Sequence, residues 1–177
     1  MTRKTAQFLH HNLIMPKPSN NPPRSSPQGS HYLNLLLTRG GWREDASVVQ
    51  LPNLLEPMGI HSLTANSGEE ATKVIESNVI HIALVDLSVP LRAGCPKGAP
   101  AGERILQLLR RLDSPPPTIV LRPPQPTKRA SARSLARSLQ EGAFTVVDRP
   151  ARLEILLDAL QRVLRRYYRN QWPLQYH

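Results

Sequence analysis

Five short apolar runs, each followed by a stretch with helical spacing, constrain this chain more than any other feature. The runs are residues 32–37, 60–65, 80–85, 118–121 and 144–147, each short enough for a buried strand and bounded by turn-forming residues. Between them lie helical patterns. Residues 42–58 place apolar side chains at 48, 51, 54, 55 and 58, with Pro52 and Pro57 predicting a short or kinked helix and Gly59 its stop. Ser67-Gly68-Glu69-Glu70 has the form of a capping box, in which a serine and a later glutamate satisfy the orphan amides of a helix start. Apolar residues at 105, 106, 108, 109 and 112 predict a third helix, residues 127–141 a fourth closed by Gly142, and a stripe at 153, 156, 157, 160, 163 and 164 a fifth. Strand–helix units in succession predict a parallel sheet covered by helices on both faces. The run Ile80-His81-Ile82-Ala83-Leu84-Val85 is apolar nearly throughout, as a central strand should be, and stops at Asp86. In such sheets the functional crevice lies at the carboxyl ends of the strands, which is where Asp86 falls.

Composition limits what surrounds this unit. Residues 1–30 hold Pro16, Pro18, Pro22, Pro23 and Pro27 among Ser, Asn and Gln, without an apolar period, and are expected to form a disordered arm. Residues 31–169 form the predicted domain and 170–177 a tail. No apolar run has bilayer-spanning length, and the first apolar stretch is broken by His10, His11 and Asn12 with no small-residue cleavage site after it. A lone cysteine, Cys95, forms no intramolecular disulfide and fits a reducing cytoplasm. The six histidines have no metal-ligand spacing, and no phosphate loop, nucleophile elbow or triad is present, so an enzyme is not expected.

Four stretches together carry a resemblance: Gly59-Ile-His-Ser-Leu-Thr-Ala-Asn-Ser-Gly-Glu-Glu-Ala71, Ile82-Ala-Leu-Val-Asp-Leu-Ser-Val-Pro90, Pro117-Thr-Ile-Val-Leu121 and Gly142-Ala-Phe-Thr-Val-Val-Asp-Arg-Pro150. Their order and spacing resemble the receiver domain of two-component response regulators, CheY-like proteins of phosphorelay signal transduction. The resemblance implies a flavodoxin-like (βα)5 doubly wound parallel sheet of order 2-1-3-4-5. It also implies a phosphoacceptor at Asp86, charged by a histidine kinase. Arg122 and Arg149 fall at the phosphate-pocket positions, where the family has Ser/Thr and Lys, and Val146 stands at the aromatic switch position. Glu44 and Asp45 are the carboxylates that would join Asp86 around Mg2+, provided that the Gly40-Gly41 loop folds back toward it. The competing expectation is that Arg122 pairs with Asp86 and locks the domain.

Net charge is +10, and from Arg122 onward eleven basic residues stand against four acidic ones, a net +7. Arg129, Arg133 and Arg137 recur at i, i+4 and i+8 on one helix face, and Arg162, Arg165, Arg166 and Arg169 cluster on the last helix beside Tyr167 and Tyr168. Arg129, Arg133, Arg137, Arg162 and Arg166 are the expected partner surface. The resulting reading is a stand-alone degenerate (pseudo-receiver) signalling module, with phosphorylation of Asp86 open and a kinase, a downstream protein or a second copy as partner. The alternative is a nucleic-acid-binding or regulatory module that uses the same basic surface, although no recognisable nucleic-acid motif accompanies it.

Overall fold

The computed structural model describes residues 32–40, 45–95 and 98–169. The expected arm, the tail and Glu44 lie outside these residues. Five strands, β1 (Leu33–Thr38), β2 (Ile60–Ala65), β3 (Ile82–Asp86), β4 (Thr118–Arg122) and β5 (Ala143–Asp148), form one sheet. All neighbours pair in parallel, in the order β2-β1-β3-β4-β5. The helices between and after them are α1 (Ala46–Leu55), α2 (Gly68–Ser77), α3 (Gly102–Arg110), α4 (Lys128–Gln140) and α5 (Leu153–Tyr168). This is the flavodoxin-like arrangement expected from the sequence.

The local signals act as chemistry predicts. Ser67 Oγ accepts from the Glu70 amide at 3.1 Å, while the Glu70 carboxylate reaches past Ser67 and accepts from the Asn66 amide at 2.7 Å. Helix α1 keeps Pro52 inside it and is short, running into a single 3-10 turn at Glu56–Met58 that Gly59 closes at φ 75°. That positive φ costs a residue with a Cβ more than glycine.

Strand pleating sends alternate side chains to opposite faces, so β3 feeds two apolar layers. Ile82 and Leu84 pack with Leu35, Leu37, Leu51, Leu156 and Leu160 beneath α1 and α5. Ala83 and Val85 pack with Leu36, Ile75, Ile105 and Leu109 beneath α2 and α3. Helix α4 supplies no residue to either buried layer. Its least exposed positions are Ala130, Ser131, Ser134 and Ser138, while Leu135 and Leu139 are exposed.

A partly buried polar link joins β1, the residue before β3 and α5. His81, expected on β3, precedes it; its Nδ1 accepts from the Asn34 amide at 3.0 Å, and its carbonyl accepts from Tyr168 Oη at 2.7 Å. Acceptance at Nδ1 requires the neutral ring with its proton on Nε2. Burial lowers the His81 pKa from 6.5, so the unfolded chain takes up this proton first and the stability it supports is lost as pH falls below 6.5. Urea unfolding of His81→Gln as a function of pH should show a shallower loss of stability below that pH than the parent protein.

Candidate functional site

Parallel β3 ends at Asp86, which the alternation places on the α1/α5 side, next to the ends of β1 and β4. The main chain leaves the sheet here through a loop packed between two glycines. A Cβ on Gly40 would lie 2.3 Å from the Val89 nitrogen, and one on Gly102 would lie 2.4 Å from Leu87 Cα. Only residues without a side chain permit that approach, and it fixes residues 86–89 from both sides.

Asp86 is buried, with its side chain 4% exposed. Its Oδ1 accepts from the Ser88 amide at 2.8 Å, and its Oδ2 accepts from Arg149 Nη1 at 2.7 Å. The same Arg149 nitrogen donates to the Gly40 carbonyl at 2.8 Å, so one guanidinium bridges the end of β1 and the end of β3. Thr38 Oγ1 accepts from the Asp86 amide at 2.8 Å, which anchors the aspartate backbone to β1. Burial pushes the Asp86 carboxyl above the usual carboxylate range; the Ser88 amide, the Arg149 charge and the Gly40 amide oppose it.

The two arginines at the expected phosphate-pocket positions do different things. Arg149, ahead of a cis bond to Pro150, enters the pocket and meets Asp86. Arg122 does not pair with Asp86, contrary to the expectation of a lock at that position. Its side chain is buried and turns the other way. Nε and Nη2 donate to the Asp148 carboxylate, Nη1 donates to the Ser131 carbonyl at 2.7 Å, and Nη2 donates to Ser131 Oγ at 2.8 Å. The reason is register: Arg122 pairs with Asp148 across β4 and β5, so the nearest carboxylate lies on the neighbouring strand. The planar fork then spans the carboxylate and the α4 backbone, a geometry that suits guanidinium better than ammonium. This polar clip, in place of apolar packing, holds α4 against the sheet edge.

Asp45 caps α1. Its Oδ1 accepts from the Ser47 amide at 3.2 Å and its Oδ2 from the Ala151 amide at 2.7 Å. Among the described residues no group of three His, Cys, Asp or Glu side chains could hold a metal ion. Both Asp45 oxygens accept from amides and one Asp86 oxygen from a guanidinium, so these two carboxylates offer little free coordination to a magnesium ion, and Glu44, the third expected ligand, lies outside the described residues. A hard dication needs several free oxygens around it.

A cavity of about 860 Å³ opens over this end of the sheet, lined by Asp86, Arg149, Arg39, Asp45, Val49 and Glu103 among others. The expected partner surface is only partly available. Arg137 is paired with Glu103 of α3 at 2.6 Å, and Arg162 with Asp158 at 3.0 Å. Arg129, Arg133 and Arg166 are exposed and carry no ion pair among the described residues. Sequence reasoning missed Thr38, Gly40, Ser88, Ser131 and Asp148 as parts of the site. The Arg122–Asp148 pair alone had a signal, since strands ending in opposite charges invite a cross-strand pair.

No protein-family model matches the chain, and no curated protein sequence matches it. Solved structures do. The receiver domain of a putative Luxo repressor from Vibrio parahaemolyticus superposes with a TM-score of 0.58 at 17% identity, covering 82% of this chain and 99% of that one. A two-component response regulator from Clostridium difficile gives 0.59 at 22% identity, covering 76% and 97%. NtrX from Brucella abortus gives 0.58 at 13% identity; the match covers 79% of this chain but only 28% of NtrX. Strand order, the buried aspartate at the end of β3 and these superpositions lead to one conclusion: the chain has the fold of a response-regulator receiver domain, in a strongly divergent sequence.

Proposed function

We propose that this protein is a locked receiver-like module that signals by docking other proteins rather than by switching on phosphate. The observation that carries the reading is the Arg149 guanidinium seated 2.7 Å from the Asp86 carboxylate. Phosphoryl transfer to an aspartate needs the carboxylate free to attack and a cation to neutralise the incoming phosphoryl oxygens. Here one oxygen is already bound to a permanent cation that also holds the Gly40 carbonyl, and the described residues offer no magnesium site. The Arg122 clip ties α4 to β4 and β5, which favours a fixed α4 surface.

Docking is supported by the outer side of α4. Leu135 and Leu139 are exposed there, on the same helix as the unpaired Arg129 and Arg133. Exposed leucines on one flank of α4 and arginines on the other suit an acidic protein partner better than a phosphate backbone, which needs no leucines. No helix among the described residues is long and apolar enough to cross a membrane.

The test is incubation of the full chain with Mg2+ and acetyl phosphate, followed by intact-mass analysis against Asp86→Ala. The proposal expects no acid-labile phosphate on the parent beyond the level of that variant. Stoichiometric phosphate on the parent, absent from Asp86→Ala, would reinstate a working switch.

A further inference from the structure

Large apolar side chains stand exposed at the amino end of the sheet, the end opposite Asp86. Tyr32 immediately precedes β1, Met58 ends the 3-10 turn before β2, and Val79, 71% exposed, lies just ahead of β3. Hydrogen bonds bring the three together. The Leu33 amide donates to the Gly59 carbonyl at 3.1 Å, which sets Tyr32 beside Met58. Asn34 Nδ2 donates to the Val79 carbonyl at 2.9 Å, and the His81 amide donates to the Asn34 carbonyl at 2.9 Å, which sets Val79 beside the start of β1. Single apolar residues scattered over a surface need no explanation, but a group across three adjacent strands marks a surface that something covers.

The chain leaves α5 beside this patch. Tyr168 Oη donates to the His81 carbonyl at 2.7 Å, so the last turn of α5 lies at the start of β3, next to Val79. At Arg169 the backbone takes φ 50° and its amide donates to the Leu164 carbonyl, which ends the helix and turns the chain off its axis. Residues 170–177 follow, with Trp172, Pro173, Leu174 and Tyr176 and no Lys, Arg, Asp or Glu. An extended chain spans at most about 3.6 Å per residue, so Trp172 is held within about 11 Å of Arg169 and Leu174 within about 18 Å. The starts of β3, β1 and β2 are neighbours about 5 Å apart, so this reach takes in the whole patch. The segment before Tyr32 competes poorly: its nearest large apolar residue is Met15, and residues 16–31 hold no Leu, Ile, Val, Met, Phe, Trp or Tyr.

We infer that residues 170–177 fold back across the amino end of the sheet, with Trp172 and Leu174 packed on Val79, Tyr32 and Met58. A segment without ionised side chains gives up little hydration when it settles on an apolar surface. Its tether to α5 also spares it the entropy that a separate partner loses on association. This goes beyond docking on α4 and is independent of it, since the two surfaces share no residue.

Tryptophan fluorescence of the full chain tests the inference, with Trp42→Phe leaving Trp172 as the single emitter. The expected result is emission at shorter wavelength, and weaker quenching by acrylamide, than the same chain shows in urea, because a packed indole is shielded from water. Val79→Asp and Met58→Asp, both at exposed positions, should each move the emission toward the urea value, whereas Arg133→Ala on α4 should leave it unchanged. Should Trp42→Phe fail to fold, urea unfolding of the otherwise unaltered chain reads the same contact: Trp172→Ala and Val79→Asp together should cost less than the sum of their separate losses. Trp172 emission equal to that of the unfolded chain overturns the inference. So do an emission that neither patch substitution moves, additive losses in the unfolding cycle, or a shift that fades on dilution, which would put the segment of a second copy on the patch.

Discussion

Replacing Arg149 with Met is expected to destabilise the protein by about 3 kcal/mol at neutral pH, the low end of the cost of breaking a buried ion pair. The guanidinium is 16% exposed and its partner 4%, so water replaces the lost interaction poorly. Methionine keeps most of the stem's packing, which leaves the charge as the principal loss. Asp86 would then retain the Ser88 amide but no cation, and its carboxyl would rise further above the ordinary range. The sign of the pH dependence follows. In the parent, the folded-state pKa of Asp86 already lies above the unfolded value of 3.8, so the stability that Asp86 itself contributes is full below 3.8 and is lost as pH rises through the folded pKa. The Arg149→Met deficit exists only where Asp86 is ionised. It should therefore be full at neutral pH and shrink toward pH 3.8, as denaturant unfolding at several pH values would show. A deficit independent of pH would mean that packing, not charge, is what Arg149 supplies.

Gly102→Ala should cost a similar amount for an unrelated reason. Its Cβ would lie 2.4 Å from Leu87 Cα and 2.7 Å from the Asp86 carbonyl, both backbone atoms with no rotamer to change. Overpacking of this kind costs about 1–3 kcal/mol, and backbone obstruction places it at the upper end. Either α3 moves out or the loop holding Asp86 is displaced, so the substitution should also disturb the amide resonances of Leu87 and Ser88. Gly98→Ala is the contrast. It lies in an exposed turn with 3.4 Å to the nearest obstacle, and its effect should stay within about 0.5 kcal/mol. Equal melting temperatures for Gly102→Ala and the parent would contradict the close approach.

The architecture was legible because periodicity and punctuation are local. An apolar run ending at Asp86, a serine three residues before Glu70, and Gly59 and Gly142 at positive φ each work through neighbours in the chain. The site depends on contacts across the chain. Arg122 and Arg149 both sit at the end of a strand beside a carboxylate, and nothing in either tripeptide says which way four rotatable bonds will send the fork. The outcome follows from parallel register, which sets Asp148 opposite Arg122 and leaves Asp86 to Arg149. Gly40 looked like part of a turn, whereas its missing side chain lets Val89 approach across the sheet end. Serines 131, 134 and 138 gave no apolar signal for the inner side of α4, and that side is held by a guanidinium clip instead.

The claim on which the account rests is that Asp86 and Arg149 act as one unit. A double-mutant cycle on Asp86→Asn and Arg149→Met, read by urea unfolding at neutral pH, measures that directly. The account predicts a coupling of about 2 kcal/mol, with the double variant more stable than the sum of the single losses implies. Additivity within about 0.5 kcal/mol would show two independent residues, and the receiver would then have no internal lock.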